Sequence, residues 1–120
     1  MPPNRVTLTL PVPPSANRLW RNGRGRTYKS EPARAFAAEV LAICYKAGHT
    51  RPRWPKDTPL RVTMTWYRAI KRGDLDNKAK ALLDSLRGLV IVDDAQVCEL
   101  HLYRVDGQRP GRCEVIVEAA

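Results

Sequence analysis

Four aspartates lie in two close pairs in an otherwise basic chain. Asp74 and Asp76 flank one leucine, and Asp93 and Asp94 follow a short apolar run. If residues 74–76 are extended, side chains two residues apart point to the same side of the backbone. Closely spaced carboxylates repel one another, and a divalent cation relieves that repulsion. An all-oxygen ligand set favours Mg²⁺, with Mn²⁺ as a substitute, and water and substrate phosphates complete the coordination.

Lys80 stands four residues after Asp76, so their side chains share one face once a helix has begun. A lysine there could stabilise the negative charge that develops on a phosphate. With the acidic pairs it indicates metal-dependent phosphodiester cleavage, in which the cation lowers the pKa of the attacking water. Plainer interpretations stay open, since Asp76 alone is typical of a helix N-cap and Asp93-Asp94 of a turn. We interpret Asp84 as a surface residue.

The chain has 120 residues and a formal net charge of +9, carried mostly by arginine. Arginine binds phosphate through a planar pair of donors, so this excess predicts a polyanionic partner, most simply nucleic acid. The basic residues concentrate in the Gly- and Pro-rich stretches 18–29 and 51–72, although a solvated basic surface is the alternative. The predicted DNA contacts are Arg18, Arg21, Arg24, Arg26, Lys71 and Arg72.

Several classes of protein are excluded by the composition. No apolar run approaches the length of a membrane span, and prolines near the N-terminus replace the apolar helix of a signal peptide. The three cysteines are odd in number and far apart, which fits neither a disulfide framework nor a Cys-x-x-Cys zinc site. We therefore expect no membrane association, a cytoplasmic location and one domain over residues 1–120.

Alternating apolar and polar residues predict four strands. Their ranges are 5–10, 60–68, 97–105 and 113–118. A short polar loop separates the last two, which are predicted to pair as a hairpin with Leu100 and Leu102 facing inward. The apolar run 89–92 predicts a short buried strand, and the glycines of 15–29 predict a loop or a hairpin.

Apolar residues at helical spacing predict two helices. The first covers 31–47 with Ser30 as its N-cap, and the second runs from about 77 to 87 before Gly88. The order β-α-β-α-(short β)-β-β predicts an α+β fold, in which both helices pack on one face of a mixed β-sheet. Trp66 lies on the inward side of its strand and is predicted to belong to the core.

The chain resembles the RusA family of Holliday junction resolvases over nearly its whole length. GDLDNKAKALLDSL at 73–86 is close to the family's D-L-D-N-x-x-K pattern followed by an amphipathic helix. VDDAQV at 92–97 and PPSANRLWRNGRGRTYKS at 13–30 match two further blocks in the correct order. The resemblance implies a RusA-like α+β fold and a homodimer that cuts four-way junction DNA with Mg²⁺. It also implies paired, symmetric nicks in DNA recombination and repair, and a frequent prophage origin.

The resemblance assigns roles to individual residues. The matched positions are Asp74, Asp76 and Asp94 for the catalytic, metal-binding aspartates, Asp93 for their neighbour, Lys80 for the catalytic lysine, and Asn77 for the same motif. One position departs from the family pattern. Gly73 stands where a basic residue associated with DNA binding often precedes the first aspartate, and Lys71 and Arg72 lie just upstream.

Two other functions fit parts of the pattern. A non-catalytic nucleic-acid-binding module explains the charge of +9. It leaves the clustered aspartates unexplained, because acids beside a phosphate site weaken binding unless a metal intervenes. A Mg²⁺-dependent nuclease for flaps, single strands or other branched DNA would share the chemistry and differ only in substrate.

Overall fold

The structure, a computed structural model, describes residues 5–15, 20–23 and 26–120; for residues 20–23 and 26–28 it describes the backbone. Six strands are assigned in these ranges: β1 (Arg5–Leu10), β2 (Trp20–Gly23), β3 (Arg26–Lys29), β4 (Leu60–Arg68), β5 (Val97–Asp106) and β6 (Arg112–Ala119). The α-helices are α1 (Glu31–Lys46) and α2 (Ala79–Leu86), and 3₁₀ turns cover Asp76–Lys78 and Asp94–Gln96. No helix in the described ranges has the length and hydropathy to cross a bilayer.

A mixed four-stranded sheet in the order β1-β6-β4-β5 forms the centre of the fold. β6 runs antiparallel to both β1 and β4, whereas β5 runs parallel to β4. The inward faces of the sheet and of both helices meet in one apolar core. The predicted α+β fold, with both helices on one face of a mixed sheet, is therefore confirmed. β2 and β3 pair as a separate antiparallel hairpin inside the predicted loop-or-hairpin segment.

β4 and α1 follow their sequence patterns closely. β4 has the predicted bounds, and buried and half-buried residues alternate along it. Trp66 on its inward side is only 3% exposed, which confirms the predicted core position. The predicted N-cap of α1 is also present, because the Ser30 side chain accepts a hydrogen bond from the Ala33 N–H at 3.3 Å.

The predicted hairpin between the last two strands is wrong, because β4 lies between β5 and β6. Strands on either side of a third are about 10 Å apart, a distance that the connection 107–111 spans easily. The connection crosses the end of β4, where the Gly107 N–H donates to the Arg68 carbonyl at 2.9 Å. The short loop between β5 and β6 predicted that these strands are neighbours. The buried strand β4 instead pairs with both of them.

Two smaller predictions are also corrected. The run 89–92 is a turn rather than a strand, since the N–H groups of Leu89, Val90 and Ile91 all donate to the Leu86 carbonyl. Its residues 89–91 are nevertheless buried.

The predicted inward position of Leu100 is wrong. Leu100 is 41% exposed although its register partner Val62 is fully buried. β5 is the edge strand, and the core that the helices cover does not extend over all of it. Leu102, in contrast, packs against the core.

Candidate active site

The first aspartate pair lies on residues 73–76 between β4 and α2, which we call the acid loop. Asp74 and Asp76 are both exposed. The Asp74 carbonyl accepts a hydrogen bond from the Asn77 N–H at 3.3 Å, which begins the 3₁₀ turn. Neither that turn nor α2 has a side-chain N-cap, so the Asp76 carboxylate does not serve as a helix cap. The fold leaves both carboxylates facing solvent.

Gly73 fixes the start of the acid loop. Its φ of +94° lies in the left-handed region, where a residue with a side chain is strained. A Cβ at this position would also stand 3.2 Å from the Trp66 ring, closer than ordinary van der Waals contact. Glycine at position 73, the departure noted in the sequence, therefore has a structural reason.

Lys80 joins α2 to the second aspartate pair. Its Nζ lies 3.3 Å from Asp84 Oδ1 and 3.6 Å from Asp94 Oδ2. The hydrogen bond to Asp84 is the main cause that raises the pKa of Lys80, and the charge of Asp94 adds to it. Lys80 is therefore a cation at neutral pH. The interpretation of Asp84 as a surface residue is wrong, since its side chain is only 19% exposed and shares this lysine.

Asp93 has a structural role beside Asp94. Its side chain accepts a hydrogen bond from the Ala95 N–H at 3.1 Å and caps the 3₁₀ turn in a capping box with Gln96. A hydrogen bond with the Asp94 side chain, followed by the one from Ala95, lowers the pKa of the Asp93 carboxyl group. Asp93 is thus held charged at the cap, and its predicted role as a metal ligand stays a prediction.

Gln96 fixes the position of the Asp93-Asp94 turn, although it was not among the predicted site residues. It is buried, and its Oε1 accepts hydrogen bonds from the Val92 and Asp93 N–H groups at 2.8 and 3.2 Å. Its Nε2 donates to the carbonyls of Pro55 and Thr58 at 2.9 and 3.1 Å. The two Nε2 bonds tie the Asp93-Asp94 turn to the loop that precedes β4. The D-x-x-Q spacing of a capping box is the signal that could have identified it.

The predicted metal ligands are only partly brought together. Lys80 contacts Asp94, and one continuous helical segment carries both Asp76 and Lys80. Over the described ranges, no three acidic, histidine or cysteine side chains lie close enough to hold a metal ion. The donor chemistry fits a hard cation, because the candidates are carboxylates and those of Asp74 and Asp76 are exposed. A site shared by Asp74, Asp76 and Asp94 stays a prediction.

The predicted DNA contacts fall into three groups. Arg18 and Arg24 lie outside the described residues. Arg21 and Arg26 have a described backbone in the β2-β3 hairpin, where they pair with Tyr28 and Gly23. Lys71 and Arg72 are exposed immediately before the acid loop. The hairpin ends close to Asp84, since Lys29 of β3 and Asp84 line the same small cavity.

A larger cavity of about 450 Å³ opens beside the acid loop. Basic side chains from Arg68, Arg72 and Lys78 line it together with Trp66. Lys78 Nζ stands 4.9 Å from the centroid of the Trp66 ring, within cation–π range. Neither Arg68 nor Lys78 was predicted as a site residue. For Arg68 a signal exists, because the period-two pattern of buried residues in β4 continues through Trp66 to this arginine.

Comparisons with known proteins agree with the resemblance in sequence. The family model described as "Endodeoxyribonuclease RusA" matches residues 11–118. The crossover junction endodeoxyribonuclease RusA of Escherichia coli strain K12 is 32% identical over 116 residues, covering 95% of this chain and 94% of the relative. The protein of the same name from Enterobacteria phage 82 is 32% identical over 115 residues, with the same coverage. The chain therefore belongs to the RusA family of endodeoxyribonucleases.

Proposed function

We propose that this protein is a Mg²⁺-dependent endonuclease that resolves four-way DNA junctions by paired, symmetric nicks. Within a chain of the RusA family, the observation that carries the proposal is the contact of Lys80 with Asp94, next to the exposed acid loop. A divalent cation held by carboxylates next to basic side chains is suited to phosphodiester hydrolysis. A protein that only binds DNA has no use for the carboxylates of Asp74, Asp76 and Asp94.

Three carboxylates, from Asp74, Asp76 and Asp94, would hold the divalent cation. When bound, it supplies activation of water and neutralisation of charge at the scissile phosphate. Lys80 is held by Asp84 at 3.3 Å, so its ammonium group is oriented before DNA arrives. The lysine then stabilises negative charge that develops on the phosphate or the leaving oxygen. Asn77 supports the acid loop through its N–H donated to the Asp74 carbonyl.

DNA binding would use two groups of basic residues. Lys71 and Arg72 immediately precede the acid loop, and the β2-β3 hairpin, which carries Arg21 and Arg26, ends at Lys29 beside Asp84. Arg18 and Arg24 belong to the same proposed surface by sequence. Such contacts to the phosphate backbone carry no sequence information and weaken with salt.

Replacing Lys71 and Arg72 with alanine is expected to weaken junction binding. Each phosphate contact adds about 0.9 to the slope of log affinity against log salt, so losing two should lower that slope by about two. The measurement is a fluorescence anisotropy titration with a labelled junction in EDTA over a series of salt concentrations. The matched control replaces Arg34 and Lys46, two exposed cations of α1. An unchanged slope in the first variant would remove Lys71 and Arg72 from the DNA contact.

A homodimer forms part of the proposal, because two symmetric nicks need one active site on each of two opposing strands. The edge strand β5 supports it through three exposed apolar residues, since Leu100, Tyr103 and Val105 are 41%, 53% and 38% exposed. The apolar residues of α2, by contrast, are mostly buried. Light scattering at the concentration of the cleavage assay measures the molar mass, and a monomer there would contradict the proposed homodimer.

We also propose a cytoplasmic location. The free thiols of Cys44, Cys98 and Cys113 suit that reducing compartment.

One assay tests the function. Labelled four-way junction, linear duplex and flap substrates are incubated with the protein in Mg²⁺ or in EDTA. The proposal expects symmetric nicks on the junction, only in Mg²⁺, with ends that a ligase seals. Junction binding without cutting would identify a non-catalytic module, and preferential cutting of flaps would identify a different branched-DNA nuclease.

A further inference from the structure

Arg68 is a charged side chain buried at the end of β4. Its side chain is 9% exposed, and it continues the inward series of the strand after Trp66. A buried charge is costly unless it is paired and hydrogen-bonded. Asp106, the last residue of β5, supplies the pair: Arg68 Nε and Nη2 donate to its two carboxylate oxygens at 2.8 and 3.0 Å.

The same guanidinium group reaches the acid loop. Arg68 Nη1 donates to the Gly73 carbonyl at 3.2 Å. This is the peptide group that joins Gly73 to Asp74. Gly73 itself has no side chain to anchor this peptide, so the Arg68 hydrogen bond is what fixes its carbonyl. The peptide immediately before Asp74 is therefore held by Arg68 at the end of β4. Arg68 is in turn held by Asp106 at the end of β5.

We propose that Arg68 is a positioning residue, which orients Asp74 for the divalent cation by holding the Gly73 carbonyl. The inference rests on the proposed function for its purpose. Its geometry is independent of that function, because the hydrogen bonds of the Arg68 side chain go to Asp106 and Gly73 within the fold. Arg68 does not touch the substrate in this role; it acts through the backbone of the acid loop.

The chain provides a matched control for this arginine. Arg61 also lies on β4 and donates from Nε to a carboxylate of β5, at 2.8 Å to Glu99. The Arg68–Asp106 Nε distance is also 2.8 Å. Arg61 is more exposed, with a side chain at 36%, and its polar partners Glu99 and Glu118 are carboxylates rather than the acid-loop backbone. An ordinary cross-strand ion pair should therefore behave as Arg61 does.

The experiment compares Arg68→Lys with Arg61→Lys, because lysine keeps the charge but cannot reproduce the two-pronged contact. Mn²⁺ alone is titrated into each protein by calorimetry without DNA, and amide exchange of Asn77 is followed by NMR without metal. Supports of metal ligands typically matter 10- to 100-fold, so Arg68→Lys is expected to weaken Mn²⁺ binding by about tenfold. Exchange at Asn77 should be about tenfold faster, since its acceptor on Asp74 is no longer held. Arg61→Lys should leave both values within about twofold of the wild type, as expected for an exposed pair.

Each result has a defined meaning. Wild-type Mn²⁺ affinity and Asn77 exchange in a folded Arg68→Lys protein would overturn the proposal, and so would equal changes in Arg61→Lys. If Arg68→Lys does not fold, Asp106→Asn against Glu99→Gln replaces the comparison, and a change confined to Asp106→Asn supports the proposal, whereas no difference between the two overturns it. Failure of the wild type to cut any junction would refute the proposed function instead, because neither measurement uses cleavage.

Discussion

Asp76→Asn is expected to abolish junction cleavage, with a loss of more than about 10³-fold in rate, while junction binding in EDTA stays within about twofold. The amide keeps the size of the carboxylate but removes the negative charge that would hold the cation. Binding is retained because the carboxylate serves the metal rather than the contacts to the DNA backbone. The measurements are single-turnover cleavage of a labelled junction and an anisotropy titration.

The structure makes this substitution a clean test. Asp76 is exposed and caps neither the 3₁₀ turn nor α2, so its loss should change the free energy of unfolding by no more than about 0.5 kcal/mol. Asp57→Asn is the matched control, since it removes one carboxylate from another exposed loop. Cleavage by Asp76→Asn at the rate of Asp57→Asn would remove Asp76 from the mechanism.

Lys80→Met should reduce cleavage by about 10² to 10³-fold, the usual cost of removing one group that stabilises charge in a transition state. Methionine keeps much of the length of the side chain but has no ammonium group to place between Asp84 and Asp94. Lys80→Arg should recover part of the lost rate, because it restores the charge in a different shape. Single-turnover rates of the three proteins at saturating Mg²⁺ give the comparison.

Junction affinity separates two roles for Lys80. If the lysine acts on the reacting phosphate, affinity in EDTA changes little and the loss appears in the cleavage rate. A drop in affinity as large as the drop in rate would instead place Lys80 among the DNA-binding residues. Lys46→Met, at the exposed end of α1, controls for the loss of one positive charge.

Local patterns in the sequence predicted the two α-helices and the four long strands, but neither the turn at 89–92 nor the order of the strands. The alternation in β4 and the cap at Ser30 depend on neighbouring residues, and both predictions are confirmed. The hairpin prediction for β5 and β6 is wrong because strand order depends on which strand is buried between two others. Loop length carries no information about that third strand.

The candidate site divides in the same way. Asp76 lies in the 3₁₀ turn that leads into α2, and Lys80 lies in α2 itself, so the expectation that their side chains share one helical face stays a prediction. The approach of Lys80 to Asp94 depends on how the chain turns after α2, and only the family resemblance linked these two residues in advance. Arg68 was not predicted as a site residue, because its partner Asp106 is distant in the sequence. Asp84 was not predicted either, because its contact with Lys80 matters only once α2 is oriented toward Asp94.

The place of β6 between β1 and β4 also constrains the order in which the protein can assemble during synthesis. β1 is made first, yet its neighbour in the sheet is β6, the last strand. At roughly 5 to 20 residues per second, β1 waits on the order of 5 to 20 s for that partner. The central sheet therefore cannot be completed until residues 112–119 have emerged from the ribosome, because these residues form the strand that joins β1 to β4.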